Sequence, residues 1–263
     1  MTAIITLTTD FGADSPYVAQ MKGAVLSIFC DVQIIDVTHS VPPQDILQGA
    51  LALVDAAPSF PPQTIHVAVV DPGVGTQRRI VAAQLHEQWF IAPDNGLLTG
   101  VWRSAPQRRC FSVENNALFH QSVSRTFHGR DIMAPVAAHL AAGVAPDLLG
   151  PAVDAIVEIP WPEPIVAHDE IRAQIIAVDS FGNLLTNLHI DRLPAGWADA
   201  TSPRISCGGA EIDRLCATYG DARPGELVAL FGSADRLEIA VVDGSAAARL
   251  QAGVQDVVTL RNA

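Results

Sequence analysis

Apolar and polar positions along this chain follow two regimes that meet in a proline-rich stretch over residues 158–170. In the first regime strand-like and helix-like spacings alternate. Ile4 to Thr9 is a short β-type run ending at the turn Asp10-Phe11-Gly12, which predicts a strand. Residues 17–29 place Val18, Met21, Val25, Leu26 and Phe29 on one broad face, which predicts a helix. A strand over 32–39 and a helix over 45–58, stopped before Pro58, follow. In the third strand, 64–71, Ile65, Val67 and Val69 alternate with His66, Ala68 and Val70. Residues 79–85 and 88–93 read as further strands, and 95–102 as a short helix with Asp94 at its N-cap. A last helix spans 131–143 and closes at Gly143.

Repeated alternation of this kind predicts an α/β N-terminal domain with a mostly parallel sheet covered by helices. Ligands of such sheets sit at the carboxyl ends of the strands. Asp10, His39 and Asp71 all fall at such ends, so three strands deliver polar groups to one edge.

Beyond the prolines, the runs 171–179, 184–190, 203–209, 225–232, 236–242 and 256–261 are short, β-like and separated by glycine and polar turns. They predict a smaller all-β C-terminal domain, a barrel-like or sandwich arrangement. The expected organisation is therefore 1–160, a linker over 161–170, and 171–263.

With 49% hydrophobic and 17% charged residues, the chain has the composition of a soluble globular protein. Its net charge of −12 argues against nucleic-acid phosphates as partners. No apolar run reaches the length of a membrane span, and the first residues read as a strand with no basic leader, which predicts a cytoplasmic protein. Cys30, Cys110, Cys207 and Cys216 are widely spaced, so reduced thiols are expected, although Cys207 and Cys216 could bridge.

Four stretches could carry chemistry, and each has a bland alternative. "VVDPGVGTQRR" (69–79) turns sharply at Gly73 and Gly75. It lacks the lysine and the glycine spacing of a phosphate loop, so a hairpin turn with surface arginines competes with a site. "TFHGRDI" (126–132) offers His128, while Arg130 and Asp131 could be a salt bridge and a helix cap. "VDSFGNLLTN" (178–187) holds Asp179 and Asn183 among ordinary turn formers. In "TTDFG" (8–12), Asp10 could cap a helix or accept hydrogen bonds from a ribose diol.

Together with "DVTHSV", "APDNGLLT" and "LFGSADRLEIAV", these segments stand in an order that resembles the S-adenosyl-L-methionine hydroxide adenosyltransferases, relatives of the adenosyl fluorinase and chlorinase. The resemblance runs from residue 4 to about residue 260. It implies hydrolysis of S-adenosyl-L-methionine to adenosine and L-methionine without a cofactor, and a homotrimer whose ligand lies between the N-domain of one subunit and the C-domain of its neighbour. The family's Asp-Arg-His trio maps onto Asp71, Arg78 and His128. By the same resemblance Asp10 holds the ribose hydroxyls, Asp179 and Ser233 the amino-acid end, Asn183 the adenine, and Phe127 contacts substrate. A fluorinase has tyrosine at the place of Asp71 and tyrosine-serine at that of His128-Gly129, so halogenation is disfavoured. Gln44 and Ala234 stand where the fluorinase has tryptophan and arginine, which leaves the contacts there open.

A sulfonium substrate makes C5′ electrophilic and methionine sulfur a neutral leaving group, so the demand is for an activated, in-line water. Arg78 can favour a hydroxide-like oxygen. Either Asp71 or His128 can take its proton. Two other readings remain: a non-catalytic adenosine or S-adenosylmethionine binder, and a metal-dependent nucleoside or nucleotide hydrolase using Asp10 and Asp71. His39, His128, Asp71 and Asp131 are the residues from which a metal site could be assembled.

Overall fold

The computed structural model describes residues 2–194, 197, 203–212 and 215–261. The chain divides into two compact units, Met1–Trp161 and Pro162–Ala263.

The first unit contains strands β1 (Ala3–Thr9), β2 (Val32–Thr38), β3 (Ile65–Val69), β4 (Ile80–Leu85), β5 (Gln88–Pro93) and β6 (Arg108–Ser112). They form one sheet in the order β2-β1-β3-β5-β4-β6. The first four in that order run parallel, while β4 is antiparallel to both its neighbours. Helices α1 (Pro16–Ile28) and α4 (Ala134–Ala141) cover one face, and α2 (Ile46–Ala56) and α3 (Thr99–Ser104) the other. Both faces are buried, as a parallel sheet requires. Val67 and Val69 join the core beneath α1 and α4, while Ala68 and Val70 join the opposite one. Ser15 caps α1 by accepting a hydrogen bond from Tyr17 N–H, and Val18, Met21 and Val25 are its buried face. Gly143, at φ 91°, follows the end of α4.

Three local expectations are corrected. The segment 70–79 is no hairpin, because β5 lies between β3 and β4. The hairpin is β4–β5, turned at His86 and Glu87 with φ of 50° and 63°, the backbone that two-residue hairpin turns demand. Asp94 caps no helix, since its carboxylate accepts hydrogen bonds from Arg79 and from Val157 N–H. α3 starts only at Thr99. Asp131 is likewise no cap and lies, fully buried, inside a π-turn over Gly129–Met133 that precedes α4.

The second unit contains β7 (Ile165–Val166), β8 (Glu170–Val178), β9 (Leu184–His189), β10 (Arg204–Cys207), β11 (Ala210–Ile212), β12 (Leu215–Cys216), β13 (Leu227–Phe231), β14 (Arg236–Val241), the short helix α5 (Ala246–Leu250) and β15 (Val257–Arg261). They form a barrel-like sheet in the order β11-β10-β15-β8-β9-β14-β13-β12, with β7 on β8. Strand β8 is irregular between Ile175 and Ala177, its first half pairing β15 and its second β9. Bends of this kind let one strand turn a corner. Ile171, Ile175, Leu184, Leu237, Ile239 and Leu260 fill the interior. The four cysteines are free. Among the described residues no helix is long and apolar enough to cross a membrane.

Candidate active site

β1, β2 and β3 are parallel neighbours, so Asp10, His39 and Asp71 leave the sheet along one edge. Asp10 and Asp71 line a cleft of about 270 Å³ there, with Gln44, Thr126, Phe127 and His128. Gln44 holds a left-handed backbone, φ 65°, and its N–H donates to Asp10 Oδ2 at 2.8 Å. That contact is made by the backbone and does not depend on the Gln44 side chain. His39 does not line the cleft. It sits 2.9 Å from Thr9 Oγ1 and 3.0 Å from Asp36.

Asp71 and Arg78 face each other across the turn between them. Val74 N–H donates to the Asp71 carbonyl and Thr76 N–H to that of Gly73. This doubles the chain back until Arg78 Nε lies 2.8 and 3.0 Å from the two Asp71 oxygens, with Nη2 also on Oδ2. Arg78 Nη2 then donates to His128 Nδ1 at 2.9 Å. Both charged side chains are nearly buried, Arg78 10% and Asp71 5% exposed. The guanidinium is thus a bridge joining residues 71, 78 and 128, and a flat fork of donors is suited to it.

His128 is held by the segment before it. Ser124 N–H donates to Asp131 Oδ2 at 2.8 Å, and Arg130 grips the same carboxylate. The Arg130 guanidinium also lies over Phe127, 4.9 Å from the ring centre, and Phe127 packs edge-on to Phe11 and Tyr17. Burial and the neighbouring Arg78 charge hold the His128 imidazole below its ordinary pKa. A guanidinium can only donate, so Nδ1 accepts and the neutral ring carries its proton on Nε2.

The turn is closed against this segment at Gly75, where φ is 79° and an added Cβ would lie 2.4 Å from the Arg125 carbonyl oxygen. Gly75→Ala is therefore expected to cost more than about 1 kcal/mol of stability. It should also slow turnover by pushing on the segment that carries His128. Gly73→Ala, whose Cβ would meet nothing closer than 3.6 Å, is expected to be milder, and urea melting of both variants compares them.

The four residues of the alternative metal reading are not brought together as one ligand set. Asp71 and His128 meet at Arg78, Asp131 is taken by Arg130, and His39 by Thr9 and Asp36. No group of three or more His, Cys, Asp or Glu suited to a metal occurs among the described residues.

Asp179, Asn183 and Ser233 lie in the second unit, around a cavity of about 920 Å³. Asp179 accepts from the N–H groups of Phe181 and Asn183, and from the Asn183 side-chain amide at 2.8 Å. The turn reading of this stretch is therefore correct and coexists with a place on the cavity wall. Ala234 is not part of that wall. Three wall residues were not singled out from the sequence: Phe181, 77% exposed, Tyr219 and Glu238. The Tyr219 hydroxyl donates to Glu238 at 2.7 Å, and burial together with that carboxylate pushes its pKa up to about 12. Glu238 could have been suspected, because it interrupts the apolar run 237–241 of β14 with a carboxylate.

Residues 5–150 match the family model described as the SAM hydroxide adenosyltransferase N-terminal domain, and residues 173–259 that of its C-terminal domain. The chain is 39% identical to an (R)-S-adenosyl-L-methionine hydrolase of Thermus thermophilus, covering 90% of this chain and 91% of that protein. Identity to the hydrolase of the same name from Salinispora tropica is 36%, with 92% of each covered. A fluorinase of an Actinoplanes species is 33% identical over 83% of this chain and 84% of its own. A crystal structure of an uncharacterized conserved protein from Thermotoga maritima superposes with a TM-score of 0.93 at 35% identity, covering 98% of this chain and 99% of the other.

Proposed function

Since the chain belongs to the SAM hydroxide adenosyltransferase family, we infer that it is an enzyme that hydrolyses S-adenosyl-L-methionine to adenosine and L-methionine. The observation that carries the reading is the Arg78 bridge between Asp71 and His128 at the cleft wall.

The geometry supports the roles of Asp71, Arg78 and His128, and the family resemblance supports those of the other residues. Water attacks C5′ opposite the sulfonium, the O–C5′ bond forms, and the C5′–S pair leaves on methionine sulfur. Arg78 favours the hydroxide-like oxygen, as a preorganised cation in a partly dry site does. Asp71 Oδ2 accepts from both Nε and Nη2 of Arg78, whereas Oδ1 accepts only from Nε and keeps a second lone pair. With His128 Nδ1 in use, Asp71 is the better placed of the two to receive the proton. Asp10 holds the ribose diol, and Phe127 walls the cleft. Asp179, Asn183 and Ser233 supply the amino-acid and adenine contacts from the second unit of a neighbouring subunit in a homotrimer. No cofactor enters this scheme, and the family resemblance and composition are what support a cytoplasmic, trimeric enzyme.

Halide transfer is disfavoured by Asp71 and by His128-Gly129. Gly129 is buried, and a Cβ there would lie 3.3 Å from Met21 Sδ, which leaves little room for the fluorinase serine. The names of the hydrolase relatives specify the R configuration at sulfur, and we take that epimer as the substrate. An R-selective hydrolase leaves the opposite epimer intact, so its action is not mere waste of S-adenosylmethionine.

Incubating purified protein with epimerised S-adenosylmethionine, with and without chloride, is expected to yield adenosine and methionine in equal amounts, independent of chloride, with the R epimer consumed. Release of neither product would remove the enzyme reading, and would leave the pure binder. EDTA should have no effect, against the metal-hydrolase alternative.

The rate is also expected to fall on acidification. Protonating His128 at Nδ1 sets two donors face to face and breaks the Arg78 contact. Its folded pKa is depressed, so the neutral form persists below the ordinary value of about 6.5 and is lost only as pH falls through the lower folded value. A kcat profile that rose towards acid would contradict this role.

A further inference from the structure

His128 lines two cavities. One is the cleft; the other, of about 570 Å³, is walled by Asn116, Phe119, His120, Gln121, Val123 and Ile132, and His128 is the one residue on both walls. Resting on the hydrolase reading, we propose that this second cavity is the port through which the reaction exchanges water and a proton with solvent.

The need for such a port follows from stoichiometry. Each turnover consumes one water and releases one proton, because a cation and water become two neutral products and H⁺. The cleft, about 270 Å³, is just under the range of roughly 300–1,000 Å³ usual for ligand pockets. A bound adenosyl group therefore leaves little of it for solvent, while the departing methionine occupies the side opposite the attacking oxygen. The proton that Asp71 takes from the nucleophile must nevertheless leave before the next turnover, and a new water must arrive on the His128 side.

Nδ1 of His128 is bound by Arg78 and the Ser124 backbone also hydrogen-bonds the ring, so water on the port side meets the ring at Nε2 alongside that backbone group. The second cavity is lined as well by three hydrogen-bonding side chains, Asn116, His120 and Gln121. Buried water needs two to four such partners. The wall is tied to the site, since His120 N–H donates to the Asp131 carbonyl at 2.8 Å, and Asp131 holds the Ser124 end of the His128 segment. In the step proposed, the O–H bond of the attacking water breaks and its electron pair makes the O–C5′ bond. The proton passes from Asp71 through water beside Nε2 into the port.

The test fills the port from its rim. Val123 is 42% exposed and Gln121 is exposed, so Val123→Trp and Gln121→Trp are surface changes made outside the substrate cleft. In the full-length protein with S-adenosylmethionine, either is expected to lower kcat about tenfold with KM within twofold. The solvent deuterium isotope effect on kcat should grow, as slowed proton release requires and a mere packing defect does not. Leu26→Trp, at an exposed α1 position outside both cavities, is the control. Unchanged kcat in both tryptophan variants, or a fall in kcat with no rise in the isotope effect, would overturn the port. Should wild type itself form no adenosine, the hydrolase reading fails with it, and the two failures are told apart by that first measurement.

Discussion

Replacing Arg78 by alanine is expected to lower kcat by roughly 10²- to 10³-fold, the loss typical of removing one preorganised donor from an oxyanion-type site, with little change in KM. The reasoning is that Arg78 does not hold the ground-state substrate in the proposed scheme. It acts on charge that develops on the attacking oxygen, and an interaction made only in the transition state lowers kcat and kcat/KM together. The same substitution strips a nearly buried carboxylate of its partner, since Asp71 is 5% exposed and its contacts to Arg78 are bidentate. Breaking a buried pair on one side costs about 3 kcal/mol or more, so the variant is also expected to melt early. Arg78→Lys separates the two effects. It keeps a positive charge beside Asp71, but an ammonium cannot span Asp71 and His128 as the planar fork does. Lysine should therefore restore much of the stability and little of the rate. Steady-state adenosine release together with urea melting of the three proteins checks this, and full turnover in Arg78→Ala would take Arg78 out of the mechanism.

The second large effect concerns stability and lies away from the cleft. His66, in the middle of β3, is 1% exposed. Its ring stacks on Phe90 with centroids 4.7 Å apart, meets Phe60 edge-on, and bonds Thr6 Oγ1 through Nδ1 at 2.7 Å. Burial pushes its pKa down to about 4, against a smaller opposing influence of Gln88. The unfolded chain takes up the proton near 6.5, so between those values the unfolded state binds more protons and stability falls as pH falls. Each unit of difference is worth about 1.4 kcal/mol, which makes the loss from pH 7 to pH 4 about 3 kcal/mol for this residue. It is a sizeable part of the 5–15 kcal/mol, in order of magnitude, that holds a domain folded. His66→Asn removes the titration. The variant should start less stable at pH 7 and lose about 3 kcal/mol less than wild type on the way to pH 4 in urea titrations at both pH values. Parallel losses in the two proteins would mean that the His66 proton is not linked to folding.

Much of this architecture was legible in one dimension because burial leaves a local record. The α1 stripe Val18, Met21, Val25 and the doubly buried run of β3 are periodic, and their periods are set by the backbone alone. What escaped was decided by contacts that the usual turn and capping rules do not single out. The β4–β5 turn uses His86 and Glu87, without the Asn-Gly or Gly-Gly that marks such turns. Asp94 and Asp131 stand where local rules place helix caps, yet Arg79 and Arg130 take them. A charged donor forms the stronger hydrogen bond. Strand β6 and the Tyr219–Glu238 pair on the cavity wall of the second unit had no signal strong enough to be read.

For the proposed site the division is sharper. Six intervening residues, two of them glycine, were enough to place Asp71 and Arg78 at the ends of one turn, and strand periodicity was enough to bring Asp10 and Asp71 to one edge of the sheet. These are consequences of backbone geometry over short distances, which composition and spacing express directly. That the Arg78 guanidinium reaches His128, fifty positions further along, was decided only by the packing of the turn at Gly75 against the Arg125 carbonyl. So was the sharing of His128 between two cavities. Contacts of that kind depend on where side chains end in space once the sheet is closed, and no periodicity along the chain encodes them.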